Sequence, residues 1–391
     1  MLRLYIKILI FAFTYQSVTA QQRICGNEKF WQDKLSKEEK KLTDDLIKKY
    51  IRDNFVNTRS QITIPVVVHV LWYDSSEDIS DEAIIEQMKI LNQAFSKSNS
   101  DITKIPEEFI SVAGSTNIRF CLASVTPQNL PTSGILRKRT NINELGLSEN
   151  LYDSNAGGSD AWDSDKYLNI WIANTGKFIA GFGTYPNQTP PKKTGVVIHP
   201  KYFGRNNHPR FGFGRTLVHE VGHYLGLNHL WGDDTDCASD DGVEDTPPQL
   251  KLYRDCPSYP QSGCSQSEMF MNYMDYVDDG CMYFFTKGQS DRMLATVNLF
   301  RSGLLNSNIQ CIEKTPEFEK IHIYPNPSNG SYIVESNTEI TAEIVIINQL
   351  GQAFNPIITR EDENLTFDIS IFPDGMYIVK IGNISFKIVK L

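Results

Sequence analysis

The chain of 391 residues has no excess of positive charge, since 47 Asp and Glu residues outnumber 38 Lys and Arg residues. The resulting net charge of −9 argues against nucleic acid as a partner. Glycine (25) and proline (18) are too few for a collagen-like or wholly disordered chain. With 40% hydrophobic residues, the composition is that of a globular protein of about two or three domains.

Long apolar runs are missing except at the N-terminus, where an apolar stretch (8–15) follows two basic residues and leads to Ala20. This stretch is shorter than the roughly 20 residues that cross a bilayer. We therefore interpret 1–20 as a signal peptide that is cut after Ala20, and we expect a secreted protein.

The segment 21–59 is polar and charged, and its apolar residues Leu35, Leu42, Leu46 and Tyr50 form one thin helical stripe. Such a segment cannot build its own core. A solvated linker helix is one interpretation. The position between a signal peptide and a folded domain favours a pro-peptide.

The segment 60–312 predicts an α+β domain with a mixed sheet. Strands are expected at 61–73, 117–125, 167–173 and 195–199. After Ser80, apolar residues recur at helical spacing (Ile84, Ile85, Met88, Leu91, Phe95). A capping box formed by Thr286 and Gln289 begins a closing helix.

A polar linker (313–320) precedes a segment of different character (321–391). Short alternating strands are expected near 321–324, 331–335, 341–348, 365–371 and 376–381. Turn residues separate them, so the segment predicts a small all-β, immunoglobulin-like sandwich.

The segment Thr216–Trp231 reads TLVHEVGHYLGLNHLW. On a helix, His219 and His223 are i and i+4, so both imidazoles project from one face and can bind one zinc ion. Gly226 can end the helix in a conformation that residues with a Cβ resist. The chain then turns back, and His229 can supply a third ligand.

Three imidazoles leave a fourth coordination position open for water, as in a catalytic site rather than a structural one. Glu220 lies beside these ligands, where a carboxylate can take a proton from the water. The alternative, a pair of core histidines, leaves the rest of the spacing unexplained. The other histidines lack such spacing and are interpreted as surface or core residues (His69, His199, His208, His322).

The loop after His229 is strongly acidic, with seven carboxylates between Asp233 and Asp245. A solvated loop is one interpretation. Calcium, which takes about six to eight oxygen ligands, would relieve the repulsion among these carboxylates. We select Asp241 and Asp245 as its ligands.

The seven cysteines of a secreted protein are expected to pair, which leaves at least one over. Four of them cluster in sequence and predict two disulfides, with three connectivities open (Cys237, Cys256, Cys264, Cys281). A bond between Cys121 and Cys311 is a further expectation.

The sequence HEVGHYLGLNH (219–229) resembles the extended zinc motif of the metzincin metallopeptidases, and NYMDY (272–276) resembles their Met-turn. The acidic segment 240–248 and the clustered cysteines are similar to those of the pappalysin family, and the resemblance extends over about 60–312. It implies a metzincin-like fold with an active-site helix and a zinc endopeptidase activity.

The same resemblance implies roles for single residues. Met274 would form an apolar floor under the metal, and Tyr276 would hydrogen-bond the tetrahedral oxyanion. Calcium binding is implied as well. The implied disulfides are Cys237 with Cys264 and Cys256 with Cys281.

Asp278 and Asp279 follow the Met-turn, where metzincins shape the pocket for the residue after the cleaved bond. The resemblance to microbial pappalysins implies a preference for Arg or Lys there, because a carboxylate would pair with either side chain. Cleavage between Thr58 and Arg59 would then be self-processing.

Cys25 is expected to be the odd cysteine. It lies in the pro-peptide, and a thiolate is a strong zinc ligand at about 2.3 Å. At the fourth coordination position it would displace the water and keep the precursor latent, in a manner similar to the cysteine switch of other metzincins. A disulfide with Cys121 or Cys311 is the alternative.

The tail is similar to the C-terminal sorting domains of the Bacteroidetes type IX secretion system, in the segment YPNPSNG (324–330) and the ending FKIVKL (386–391). The alternative is a generic immunoglobulin-like binding module. The resemblance implies the secretion machinery as a partner and passage through the periplasm and outer membrane.

Taken together, these features predict a secreted zinc endopeptidase, made as a latent zymogen, that acts as a monomer on protein and peptide substrates. The alternative is a secreted adhesin without enzymatic activity that keeps zinc for structure alone. Glu220 argues against this alternative, because a structural zinc site does not require the carboxylate.

Overall fold

The computed structural model describes residues 24–26, 37–54, 61–187, 190–232, 236–306, 309, 311, 321–336, 344–361, 364–381 and 384–391. Some predicted features lie outside these residues: the signal peptide (1–20), Leu35, the cleavage site between Thr58 and Arg59, Asp233, Asp234 and the linker 313–320. The chain divides into two compact units, Met1–Ile312 and Glu313–Leu391. None of the helices in the described ranges has both the length and the apolar character needed to cross a bilayer.

The first unit contains the helices and half of the strands. The helices are α1 (Lys37–Asp53), α2 (Asp81–Phe95), α3 (Glu107–Ile110), α4 (Arg215–Tyr224) and α5 (Lys287–Phe300). The strands are β1 (Ile24–Cys25), β2 (Ile62–Trp72), β3 (Ala113–Gly114), β4 (Ile118–Leu122), β5 (Ile135–Arg139), β6 (Leu168–Ile172), β7 (Ile179–Gly183), β8 (Val196–Ile198) and β9 (Phe285–Thr286).

A seven-stranded mixed sheet organises this unit, in the order β1-β7-β8-β6-β2-β4, with β5 also paired to β2. All pairings in it are parallel except that of β7 with β8. Strand β2 is long enough that β4 pairs with its first half and β5 with its second half. Strand β7 is therefore the antiparallel edge strand, and the short strand β1 covers that edge.

The two faces of β2 are buried against different parts of the unit, as the alternation of side chains along a strand requires. Val66 and Val68 belong to the large apolar core that includes Leu91 of α2 and Val218 of α4. Leu71 packs on the opposite face, against the cluster around Trp171. The helix that carries the histidine motif is thus held on one face of the sheet.

Four of the predicted strands and both predicted helices occur in this unit. Ser80 caps α2 by accepting from the backbone of Ala83, and the capping box of Thr286 and Gln289 begins α5. Strands β5 and β7 were not predicted. In β7 (IAGFG), Gly181 and Gly183 interrupt the pattern of branched residues by which strands are recognised.

Helix α1, in the segment predicted to be a pro-peptide, does not bury the predicted apolar stripe. Leu42 and Leu46 are 61% and 41% exposed, whereas Thr43 and Ile47 are buried. Asp44 of α1 pairs with Arg292 of α5, and the two helices pack together.

The second unit is a sandwich of two antiparallel four-stranded sheets, β10-β11-β15-β14 and β13-β12-β16-β17. Its strands are β10 (His322–Tyr324), β11 (Ser331–Glu335), β12 (Ile344–Asn348), β13 (Ala353–Phe354), β14 (Ile357–Glu361), β15 (Asn364–Asp368), β16 (Gly375–Ile381) and β17 (Ile384–Lys390). Both sheets contribute to one apolar core, with Tyr332 and Phe367 on one side and Ile346 and Val379 on the other. Strands β13, β14 and β17 were not predicted.

Candidate active site

The helix α4 begins at Arg215 without a capping side chain of its own. Its N-cap residue is Gly214, at φ +73°, which has no side chain to accept a hydrogen bond. Asp279 supplies the cap from 64 residues away, because its Oδ2 accepts from the backbone N–H of Phe213 at 3.0 Å and of Arg215 at 3.1 Å. The start of the histidine helix is therefore fixed by the segment that follows the predicted Met-turn.

Helix α4 places His219 and His223 on one face, and the chain returns after Gly226 to bring His229 beside them. Nε2 of His223 lies 3.0 Å from Nε2 of His219 and 3.0 Å from Nε2 of His229. All three side chains are buried. Together with Sγ of Cys25, their ligand atoms lie within 4.8 Å of one another.

The hydrogen bonds of these imidazoles determine which nitrogen faces the cluster. Nδ1 of His219 donates to the carbonyl of Tyr273 at 2.7 Å, and Nδ1 of His223 donates to the carbonyl of Leu227 at 2.8 Å. In a neutral imidazole the other nitrogen, Nε2, then carries a lone pair. Lone pairs 3.0 Å apart repel each other, so this donor set fits a cation between the nitrogens, and a zinc ion with Zn–N distances of about 2.0–2.1 Å suits the spacing.

Glu220 is fully buried next to the histidines. Its Oε2 lies 3.4 Å from Sγ of Cys25. Strand β7 passes directly over this residue: a Cβ at Gly183 would lie 2.2 Å from the carbonyl oxygen of Glu220, and a Cβ at Gly181 would lie 3.2 Å from its Cγ. Gly181 and Gly183 are the residues that kept β7 from being predicted. Because they lack a Cβ, they also let this edge strand approach Glu220.

Cys25 forms no disulfide among the described residues, and it is buried. Its strand β1 pairs parallel with β7, and the flanking backbone N–H groups of Ile24 and Gly26 donate to the carbonyls of Phe178 (3.1 Å) and Gly181 (2.7 Å). The segment predicted to be a pro-peptide therefore reaches the cluster as a strand bound to the sheet edge.

The predicted Met-turn lies below the histidine helix. Met274 is fully buried. A Cβ at Gly222 would lie 2.6 Å from the sulfur of Met274, so α4 packs on Met274 at the position where the helix has no side chain. The backbone N–H of Met274 donates to Asn272 at 2.9 Å, and Asn272 exchanges two hydrogen bonds with Gln289 of the capping box. Gln289 thus belongs to the capping box of α5 and also holds the Met-turn. The sequence did not indicate this second contact.

Tyr276 belongs to an aromatic cluster around the histidines. Its ring centroid lies 5.0 Å from that of His229 and 5.1 Å from that of Trp231, and Trp231 stacks on His229 at 4.4 Å. Cys25 packs against Trp231 and Tyr276. The backbone N–H of Tyr276 donates to the buried Asp275, whose pKa burial raises to about 7.

The disulfides are Cys121–Cys311, Cys237–Cys264 and Cys256–Cys281. These are the pairs that were expected, and they exclude the alternative disulfide for Cys25. A further group holds the same loop: the buried carboxylate of Glu268 accepts from the backbone of Leu250 and Cys264 and from the hydroxyl of Tyr253, at 2.6–2.9 Å. Sequence reasoning missed Glu268 because no motif marks it.

Both acidic residues selected as calcium ligands have one buried oxygen without a hydrogen-bond partner among the described residues, Oδ2 of Asp241 and Oδ1 of Asp245. Burial raises the pKa of Asp241 to about 7. Burial and the charge of Asp245 also raise the pKa of Asp291. A further carboxylate, Asp291, therefore lies close enough to Asp245 to interact with it electrostatically.

Asp278 and Asp279 have different environments. Asp279 is buried and caps α4, as described above. Asp278 keeps a side-chain exposure of 18% and accepts from Nε of Arg210 at 2.8 and 3.1 Å. Arg210 also pairs with Asp255. Of the two predicted specificity residues, Asp278 alone retains a partly exposed carboxylate.

Comparison with known protein families gives two matches. Residues 151–298 match the peptidase family described as pregnancy-associated plasma protein-A. Residues 322–391 match the family described as secretion system C-terminal sorting domain.

The chain is similar to curated extracellular metalloproteases of fungi. It is 42% identical to that of Pyricularia oryzae over 254 residues, which are 63% of this chain and 78% of the relative. It is 28% identical to that of Arthroderma otae over 249 residues, or 62% of this chain and 80% of the relative.

Two solved structures are also similar. Mature mirolysin of Tannerella forsythia, in complex with a cleaved peptide, is 43% identical, with a TM-score of 0.60 over 63% of this chain and 96% of that chain. A mutant of promirolysin from the same organism is 37% identical, with a TM-score of 0.64 over 73% of this chain and 97% of that chain. The coverage rises from 63% to 73% with the promirolysin structure.

Proposed function

Because this chain belongs to the pappalysin family of zinc metallopeptidases and ends in a type IX secretion sorting domain, we propose that it is made as a latent precursor with the metal site and general base described below. It is a zinc metalloendopeptidase, secreted or displayed at the cell surface. This family assignment contradicts the alternative of a non-enzymatic adhesin. The proposal extends to protein and peptide substrates, the secretion machinery as a partner, and action as a monomer.

The three histidines would hold the metal. The observation that carries this assignment is the convergence of the buried Nε2 atoms of His219, His223 and His229, with Nε2 of His223 3.0 Å from each of the other two, a spacing that suits the ligation of one cation. A zinc ion bound there supplies Lewis-acid chemistry, by polarising a carbonyl and lowering the pKa of water.

Glu220 is the general base in this proposal. Its carboxylate is fully buried beside the histidines. It would take a proton from the attacking water and later pass this proton to the leaving amine. Removal of the pro-segment would free the carboxylate from its contact with Cys25.

Tyr276 and Met274 would support the reaction from the Met-turn. The ring of Tyr276 lies 5.7 Å from that of His219 and 5.0 Å from that of His229, so it borders the space where a substrate carbonyl would be held. Its hydroxyl would donate to the oxyanion that develops there. Met274 would stay an apolar support under the helix rather than a ligand.

Substrate binding would use the edge that the pro-segment covers. Strand β7 offers backbone N–H and C=O groups at this edge, and β1 occupies them now. An extended peptide could pair with the same groups after β1 departs. We place Asp278 at the pocket for the residue after the cleaved bond, where it would favour Arg or Lys.

Latency would follow from the position of Cys25. Its sulfur lies with the three histidines and against Glu220, so it would act as a fourth zinc ligand and cover the base at once. Cleavage between Thr58 and Arg59 by the enzyme itself would begin activation.

Calcium is the second ion in the proposal. The observation that supports it is one buried oxygen on each of Asp241 and Asp245 that lacks a hydrogen-bond partner among the described residues. A buried carboxylate oxygen without a partner is costly, and a bound calcium ion would offset that cost.

The experiment that tests the proposed function uses the purified chain and an unfolded protein substrate. Hydrolysis should be abolished by a zinc chelator, restored by added zinc, and lost in Glu220→Ala. Glu149→Ala, which removes an exposed carboxylate, is the matched control and should retain activity. A wild-type protein as inactive as Glu220→Ala after removal of the pro-segment would contradict the proposal.

A further inference from the structure

The carbonyl of Gly226 lies in the turn that reverses the chain between His223 and His229. Gly226 has φ +86°, and a Cβ there would lie 2.4 Å from Oγ1 of Thr296. The next carbonyl along the chain, that of Leu227, accepts from Nδ1 of His223 at 2.8 Å. The orientation of this turn therefore affects the second histidine and the path to the third.

Two buried side chains from other elements hold this carbonyl. Nε of Arg292, on α5, donates to it at 2.6 Å. The hydroxyl of Tyr185 lies 3.3 Å from the same carbonyl oxygen and 2.8 Å from Oδ1 of Asp44, and its single proton is shared between these two acceptors. Arg292 is 1% exposed. Burial of a guanidinium is costly unless the group is paired and hydrogen-bonded, so its presence at a backbone carbonyl calls for a reason.

The ion pair of Arg292 with its carboxylate partner does not explain why this guanidinium is buried at the carbonyl of Gly226. Nη2 of Arg292 donates to Asp44, its one carboxylate partner among the described residues, and also donates to the hydroxyl oxygen of Tyr185 at 2.8 Å. Asp44 belongs to α1, in the pro-segment, which leaves on activation in the proposed function. The bond from Nε to Gly226 lies wholly within the segment 60–312 and does not depend on the pro-segment.

We propose that Arg292 is a positioning residue for the peptidase reaction: by holding the carbonyl of Gly226, it fixes the turn that brings His229 to the metal-binding cluster. The inference rests on the proposed function for the identity of the metal ligands. It assigns to α5 a role in the metal site that cannot be predicted from the spacing of the histidine motif.

The test compares Arg292→Lys with a matched buried arginine in full-length chains that also carry Glu220→Ala, which prevents self-cleavage. Arg301 is the control: it is also buried, and its Nε and Nη2 donate to the carbonyls of Tyr224 and Thr184 at 2.9 and 3.0 Å rather than to Gly226. Lysine keeps the charge at either position and removes the directed Nε donor.

Zinc affinity, measured by competition with a chelating dye, and the visible spectrum of the cobalt-substituted protein are the readouts. Arg292→Lys should weaken zinc binding about 10–100-fold and alter the cobalt spectrum, as loss of a group that orients metal ligands does. Arg301→Lys should lower the Tm of the metal-free protein to a similar extent and leave both readouts at their wild-type values.

Wild-type zinc affinity and cobalt spectrum in Arg292→Lys would overturn the proposal, and so would equal weakening in both variants, since that would show a loss of stability alone. If Arg292→Lys does not fold, Tyr185→Phe replaces it. That variant removes the hydroxyl that contacts both the carbonyl of Gly226 and Nη2 of Arg292. It should weaken zinc binding several-fold, whereas unchanged binding would overturn the proposal. Because binding is read in Glu220→Ala, failure of the proposed peptidase activity remains a separate result.

Discussion

The sulfur of Cys25 lies 3.4 Å from Oε2 of Glu220, within the same cluster as the three histidine nitrogens. One residue of the pro-segment thus contacts both the proposed base and the proposed metal ligands. A thiol in this position can donate to the carboxylate, and a thiolate can bind zinc. Latency by either route requires β1 to remain on the edge of β7.

Replacing Cys25 should change the metal ligands of the precursor. In Glu220→Ala with cobalt in place of zinc, we expect a sulfur-to-metal charge-transfer band, and this band should disappear in Glu220→Ala with Cys25→Ala. Near-ultraviolet absorption spectroscopy checks this expectation. Absence of the band from the protein that contains Cys25 would contradict the proposed switch.

Asp44 should anchor the pro-segment at a second point. Its carboxylate pairs with the buried Arg292, so Asp44→Asn removes the charge partner of a buried guanidinium. We expect the precursor to activate several-fold faster, measured as the lag before hydrolysis of a fluorogenic substrate. Asp45→Asn, which changes the exposed neighbour, is the control and should keep the wild-type lag. Equal lags in both variants would argue against the anchor.

The histidine cluster could be predicted from the sequence because its geometry is local. The spacing of His219 and His223 on a helix, followed by a glycine turn, determines most of the arrangement of the ligands. The contacts that hold this geometry are not local: Asp279 caps the helix from 64 residues away, and Arg292 reaches the turn from 66 residues away. Such long-range contacts leave no pattern in the sequence, so they could not be predicted without the structure.

Two features of the first unit could not be predicted from the local pattern. Leu42 and Leu46 have helical spacing but are exposed, whereas α1 buries Ile47 and pairs Asp44 with Arg292 of α5. Strand β7 lacks the branched residues of a typical strand because its glycines must pass close to the helix at Glu220. In both cases a tertiary contact overrode the local pattern.

His69 should make the first unit less stable in acid. It is fully buried in β2, its ring stacks on Trp171, and burial lowers its pKa from 6.5 to about 4. Between about pH 4 and pH 6.5, His69 therefore binds a proton in the unfolded chain but not in the folded chain. The contribution to stability is complete above pH 6.5 and is lost as the pH falls towards 4, by up to about 3 kcal/mol.

Urea unfolding of Glu220→Ala at a series of pH values between 4 and 7.5 checks this contribution. Adding His69→Gln should flatten the decline in the free energy of unfolding between pH 6.5 and 4. His322→Gln, which changes an exposed histidine of the second unit, should leave the decline unchanged. A decline of the same size in the His69 variant would show that other groups account for it.

Removal of calcium should destabilise the acidic loop. Without the ion, the buried oxygens of Asp241 and Asp245 have no partner. After both metals are removed and zinc alone is returned, we expect a Tm several degrees lower than with calcium present, as scanning calorimetry would measure. Asp241→Asn should abolish the response to calcium, whereas Asp240→Asn, an adjacent carboxylate that is not buried, should retain most of it. An unchanged Tm would exclude calcium at this loop.

Asp278 should determine a preference for Arg or Lys after the cleaved bond. Asp279 is committed to the cap of α4, so Asp278 is the carboxylate that remains partly exposed beyond the Met-turn. A substrate guanidinium would share Asp278 with Arg210, which also keeps Asp255 as a partner. A hydrogen bond to a charged group contributes about 1.5–3 kcal/mol, so Asp278→Asn should reduce the kcat/KM ratio of Arg over Leu substrates about 10–100-fold.

Cleavage-site profiling on a peptide mixture, followed by kcat/KM for matched peptides, measures that ratio. Asp255→Asn is the matched control, because it removes the other carboxylate of Arg210 while leaving Asp278 in place. The control should lower the preference by much less than Asp278→Asn, since Arg210 would then compete with the substrate for Asp278 alone. A wild-type profile without enrichment of Arg or Lys after the cut would reject the assignment of Asp278 and, with it, self-processing before Arg59.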